Sequence, residues 1–256
     1  MNDTEDEKLA EGTLISHLVE LRSRMMKSLL AVGVVFLCLV PFSQRIFTAI
    51  AAPLMSRLPE GATMIATQVA SPFLTPFKTT LFVALFVAMP AVLYQAWAFI
   101  APGLYRREKR FALPLLVSSI VLFYTGIAFA YYLVFPLMFG FFVGSTPEGV
   151  AVMTDINSYL TFVLTLFLAF GLSFEVPIGT VLLIWSGLID VRKLRAARPY
   201  VFLGAFVVGM FLTPPDVISQ TLLALPMYML YEGGLIMARF LLPEKMNAPQ
   251  EEAEEA

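Results

Sequence analysis

One cysteine and one histidine are all that 256 residues offer of either type. Cys38, being alone, cannot close an intramolecular disulfide, and it leaves the redox compartment open. It reads as a small hydrophobe inside an apolar stretch. His17 has no second histidine and no cysteine near it in the sequence, so a metal site is not expected. Charge is scarce as well: 14% of the residues are Asp, Glu, Lys or Arg, where a soluble domain carries about 25%. No P-loop, GxGxxG, Ser/His/Asp constellation or repeat of 20 to 50 residues is present, which removes nucleotide use and covalent catalysis. Each basic cluster sits beside an apolar stretch where membrane topology accounts for it, so nucleic-acid binding has no support.

What the chain does have is hydrophobic sequence, 59% of it, with a mean hydropathy of +0.80. These values define an integral membrane protein. Six apolar intervals lie between flanking charges: Lys27 to Arg45, Lys78 to Arg106, Arg110 to Glu148, Asp155 to Asp190, Arg198 to Asp216, and Asp216 onward past Glu232. Each holds one helix, because about 20 apolar residues cross the hydrocarbon core and backbone groups there need partners. The fold expected is all-α, with six transmembrane helices.

The cations orient it. With a cytoplasmic N-terminus, six crossings put fourteen Lys and Arg on the cytoplasmic side and leave three (Arg45, Arg57, Lys78) opposite. This positive-inside bias predicts that both termini are cytoplasmic. A cleaved signal peptide ending at "AIA" (Ala49 to Ala51) is the rival reading. The acidic "NDTEDEKLAEG" is no basic n-region, however, and losing the first span leaves an odd number of crossings.

Along the chain, residues 1 to 12 and about 244 to 256 read as disordered acidic tails on a single membrane domain. "TLISHLVELRSRMMK" places Leu14, Leu18, Leu21 and Met25 at i, i+4, i+7 and i+11, an amphipathic helix expected to lie along the membrane surface before turning into the first span. Residues 45 to 77, with Pro53, Pro59, Pro72 and Pro76, form a long outer connection expected to be ordered or to contain short interfacial helices. Pro136 and Pro177 mark bends or ends in the third and fourth intervals. The last two helices are expected to be short: only 14 residues run from Tyr200 to Thr213, about 21 Å against a core of about 30 Å.

Three acids escape the topological explanation. Glu175 lies deep in the fourth interval, where a charge costs several kcal/mol unless protonated, paired or hydrated. Two readings stand: a protonated acid bonded to a facing helix, or a part in substrate or proton passage. Glu20 and Glu108 are cytoplasmic acids among cations. Glu20 can form an i,i+4 surface pair with Arg24, and Glu108 can balance charge in its turn. Alternatively, both carboxylates read incoming arginines, since a guanidinium donates two parallel hydrogen bonds that lysine cannot reproduce.

Four segments carry a resemblance. "HLVELRSR" (His17 to Arg24), "FIAPGLYRREKR" (Phe99 to Arg110), "SFEVP" (Ser173 to Pro177) and "FLTPPDVISQTLLALPMY" (Phe211 to Tyr228) occur in order and closely resemble the TatC family, the multi-spanning subunit of the twin-arginine protein translocase. The resemblance implies a glove-like concave bundle in a bacterial inner membrane, no cofactor, and no enzymatic activity. It implies a receptor for twin-arginine signal peptides that supports export of folded proteins driven by the proton-motive force. Glu20 and Glu108, with Arg22 and Phe99, would form the cytoplasmic recognition surface; Pro53 falls at the family's outer-loop proline, Glu175 at its intramembrane acid, and Asp216 in its short loop before the last span. Met210, Thr213 and Gln220 correspond to a polar cluster where the single-span subunits TatA and TatB dock, and further TatC copies and the bilayer are the remaining partners. An ion-coupled transporter or channel using Glu175 is the alternative, and it calls for inverted repeats and several converging acids.

Overall fold

Pro41 and Pro177 fall at helix starts, whereas Pro76, Pro90, Pro114 and Pro226 lie inside helices that run on through them. A computed structural model describes the backbone of residues 3–55, 64–100, 109–145, 153–213 and 216–241, and the side chains of 16–52, 64–100, 113–142, 144–145, 153–213 and 216–241. The helices are α1 (Asp3–Leu39), a 3-10 turn (Val40–Phe42), α2 (Ser43–Met55), α3 (Ser71–Ile100), α4 (Lys109–Phe129), a π-helical turn (Ala130–Val134), α5 (Phe135–Gly144), α6 (Ile156–Ser173), α7 (Val176–Trp185), α8 (Val191–Ala196), α9 (Arg198–Leu212) and α10 (Val217–Leu241).

Several boundaries correct the sequence reading. Helix α1 begins at Asp3, so the backbone of 3–12, expected to be disordered, is helical. Glu, Lys, Ala and Leu are good helix formers, and acids in the first turns complement the positive end of the helix. The amphipathic segment around His17 is no separate surface helix either: α1 runs unbroken through it for 37 residues. No proline interrupts it until Pro41, where the 3-10 turn starts. The last helix is not short. Helix α10 runs for 25 residues and passes through Glu232, whose carboxylate accepts from Arg198 and Tyr228. The fifth interval is short as read, with 15 residues in α9. Among the described residues, five helical stretches are long and apolar enough to cross a membrane, and α9 is a shorter apolar helix.

Pro136 and Pro177 interrupt as expected, each with its own device. Pro136 follows the π-helical turn, where the Phe135 N–H reaches back to the Ala130 carbonyl. Widening the turn accommodates a ring that collides with the normal i−4 carbonyl. Pro177, in the first turn of α7, forces the break after α6.

The chain divides into two compact units. The first comprises Met1–Arg57 and Gln68–Ile120. Within it α1 and α2 pack on α3, and Trp97 donates its indole N–H to Ser119 at 3.1 Å. The second comprises Leu58–Thr67 and Val121–Ala256. Its core joins Val181 and Ile184 of α7, Val191 and Leu194 of α8, and Tyr231, Leu235 and Ala238 of α10. Small residues permit this closeness: a Cβ on Gly234 would sit 2.9 Å from the Pro177 Cα, and one on Gly126 would sit 2.5 Å from the Phe170 carbonyl oxygen.

Among the described residues, the long outer connection carries a helix, as expected. Helix α2 occupies its first part. Ile65 then exchanges backbone hydrogen bonds with the start of α6, donating to Thr154 at 3.1 Å and accepting from Ile156 at 2.9 Å.

Candidate functional site

Glu20 sits on α1 with Arg24 one turn on, and the two form the i,i+4 pair that the spacing allows. Arg24 donates from Nε at 2.9 Å and from Nη2 at 2.6 Å, both to Oε1. The pair is partly buried, with the Arg24 side chain 22% and the Glu20 side chain 35% exposed. Among the described residues, Oε2 accepts no hydrogen bond. One turn before Glu20, on the side away from Arg24, His17 stacks on Phe99 with ring centroids 4.3 Å apart and planes 25° apart. The stack brings the end of α3 against this stretch of α1, so Phe99 and Glu20 share a neighbourhood. Arg22 is exposed. Glu108 lies outside the described residues, and only the backbone of Pro53, inside α2, is described.

Glu175 occupies the hinge between α6 and α7. Its N–H donates to Leu172 at 3.0 Å and its carbonyl accepts from Gly179 at 2.8 Å, while its side chain does not cap α7. It is partly buried. Sequence reasoning placed it inside one long interval; the proline two residues later puts it at a helix break.

Around the α9–α10 turn the cluster splits. Thr213 is buried and donates to the Gly209 carbonyl at 2.9 Å. Gln220 crosses from α10 to α9, donating to the Phe206 carbonyl at 2.8 Å and lying over Gly209. Asp216 starts α10 by accepting from the Ser219 N–H at 2.7 Å. Met210 stays exposed. Gln220 thus ties α10 to α9 and Thr213 closes the end of α9, whereas Met210 presents a surface.

Two polar arrangements escaped the sequence reading. Asp155 caps α6, accepting from the Ser158 N–H at 2.9 Å and hydroxyl at 2.8 Å with one oxygen. The other oxygen takes the Thr67 N–H at 3.1 Å and hydroxyl at 2.8 Å. These donors, the Ser158 and Thr67 backbone N–H groups first, hold the Asp155 carboxyl well below the usual range. The cap is legible in "DINS", Asp155 to Ser158, but Thr67 lies 88 residues away. At the start of α9, Arg198 donates to Glu232 at 2.8 Å, and Tyr228 donates to the other Glu232 oxygen at 2.8 Å.

A chain built of helices, several long and apolar enough to span a bilayer and with polar side chains gathered at their ends and breaks, is an integral membrane protein. The family profile described as "Sec-independent protein translocase protein (TatC)" matches residues 16–226. The chain is 64% identical over 222 residues to the TatC of Azotobacter chroococcum mcd 1, covering 87% of each chain. It is 58% identical over 234 residues to that of Escherichia coli (strain K12), covering 91% of each. A crystal structure of a twin-arginine translocase receptor, TatC, superposes with a TM-score of 0.80 at 37% identity, covering 88% of this chain and 98% of that one. The chain belongs to the TatC family of Sec-independent protein translocase proteins.

Proposed function

We propose that this chain is the receptor of a twin-arginine translocase, and that Glu20 and Glu108, with Phe99 and Arg22, read the arginine pair of signal peptides on folded cargo. The observation that carries the reading is the stack of Phe99 on His17, one turn from Glu20, which brings two of these residues to one stretch of α1. The Glu20 carboxylate takes both Arg24 donors on Oε1, and Oε2 leaves it capacity for an incoming guanidinium. In this reading six crossings, α9 being the short one, put both termini in the cytoplasm of a bacterium with the chain in its inner membrane. The fourteen-to-three split of cations supports that orientation. Transport draws on the proton-motive force. Single-span TatA and TatB subunits dock beside α9 and α10, with Met210 on the contact face and Thr213 and Gln220 setting its geometry. Asp216 shapes the turn between those helices, Pro53 the outer loop, and Glu175 the α6–α7 hinge that meets peptide or partner. Family membership displaces the ion-coupled transporter alternative.

Export of a folded reporter carrying an arginine pair or a lysine pair tests the recognition surface. With Glu20 and Glu108 changed singly to Ala and to Gln, arginine-dependent binding is lost while the protein still inserts. Normal binding in both sets of variants would overturn the assignment.

A further inference from the structure

A cleft of about 570 Å³ runs between α1 and α3, walled by Leu21, Met25, Leu29 and Val32 on one side and Leu85 and Val92 on the other. Its walls are mostly apolar, and among the described residues the only charged side chain lining it is Arg24, at the Leu21 end. Arg22 does not line the cleft, but it is exposed and lies on the stripe of Met26 and Leu29, four and seven residues on, which do, so its long side chain has reach to that mouth. No charge follows on α1 after Lys27, nor on α3 from Thr79 to Ile100. The cleft is therefore cationic at one end and hydrocarbon-like along the rest.

We propose that this cleft holds one acyl chain of an anionic phospholipid whose headgroup phosphate sits at Arg22 and Arg24. Length supports it: Leu21 to Val32 is about 17 Å of helix, close to the ~15 Å of a single leaflet's hydrocarbon. Cations at the membrane end of a cleft between spanning helices are the arrangement that recognises anionic headgroups. Arg24 shares its charge with Glu20, which makes exposed Arg22 the main attraction. Met25 and Met26 give the wall the adaptability that a kinked chain needs. The rival occupant, the apolar segment of an arginine-bearing peptide, would bring like charge to this mouth, whereas a phosphate brings opposite charge.

Native mass spectrometry of the full chain in detergent, loaded with equal amounts of palmitoyl-oleoyl phosphatidylglycerol and phosphatidylcholine, tests this without any signal peptide. One phosphatidylglycerol is retained in preference to phosphatidylcholine. Arg22→Gln reduces that preference about fivefold, and Arg22→Lys keeps it. Ala96→Trp, which fills the cleft wall, abolishes retention of both lipids, with Val32→Trp as the second filling variant should the first not insert. Equal retention of the two lipids by the unaltered chain, an unchanged preference in Arg22→Gln, or full retention in a correctly folded filling variant overturns the proposal. Displacement of the lipid by an apolar peptide lacking the arginine pair also overturns it, assigning the cleft to peptide instead.

Discussion

The imidazole of His17 lies flat against the ring of Phe99, 4.3 Å between centroids, and ties the end of α3 to the turn of α1 that carries Glu20. Two segments 82 positions apart in the chain are joined by a stacked pair of this kind, worth about 0.5–1.5 kcal/mol beyond its buried area. Phe99→Ala therefore loosens the Glu20 surface. Twin-arginine peptide binding weakens several-fold while helix content stays unchanged, as read by anisotropy of a labelled peptide and by circular dichroism.

If Glu20 reads an incoming arginine as proposed, Arg24 competes with it for that carboxylate. Arg24→Gln removes the competitor and a like charge together, so arginine-peptide affinity rises about two- to fivefold at low salt. The gain shrinks as ionic strength increases. Weaker binding in this variant would mean that Arg24 orients Glu20 more than it occupies it.

Asp155 makes its four hydrogen bonds as a carboxylate, and its pKa is depressed by them. A depressed acid adds stability that is fully present above the ordinary Asp range, near 4, and is lost as pH falls through the lowered value. Asp155→Ala costs about 1 kcal/mol at neutral pH, whereas Asp155→Asn, still a good cap, costs less. Thermal unfolding in detergent between pH 7 and pH 3 checks both, and the stability gap between the unaltered chain and Asp155→Asn narrows toward the acid end.

Gly234 faces the Pro177 backbone with no room for a Cβ. Gly234→Leu pushes α10 off α7 and destabilises the second unit by about 1–3 kcal/mol. Gly233→Leu, whose Cβ meets nothing within 4 Å, is the control and leaves stability nearly unchanged. Proteolysis of the detergent-solubilised protein separates the two.

Met210 and Gln220, which the resemblance groups in one cluster, are placed differently, one exposed and one bonded across to α9. Met210→Ala leaves stability within about 0.5 kcal/mol and lowers co-purification of a single-span partner subunit. Gln220→Leu breaks the α9–α10 bond to Phe206, costs about 0.6–1 kcal/mol, and lowers both stability and co-purification.

How much of this was legible depends on the range of the interaction that carries it. Helix α9 was readable as short because charge and proline bound it locally, and the Glu20–Arg24 pair was readable because it spans one helical turn. The pairing of Glu232 in α10 was not, because its partner Arg198 sits 34 residues back. The helical start of α1 was missed because composition signalled solvation and said little of backbone preference.

The amino-acid sequence by itself determined that this is a helical membrane protein of the TatC family, where its apolar stretches lie, and which acids lack a topological excuse. Hydropathy, charge asymmetry and proline act through neighbours a few residues away, so a linear reading finds them. Tertiary structure alone decided that Phe99 stands against His17, that Asp155 clasps Thr67, and that Gln220 is spent on Phe206 while Met210 faces outward. Those are contacts between segments far apart in the chain, and which side chain meets which depends on the packing of whole helices, set by close approaches at small residues such as Gly126 and Gly234.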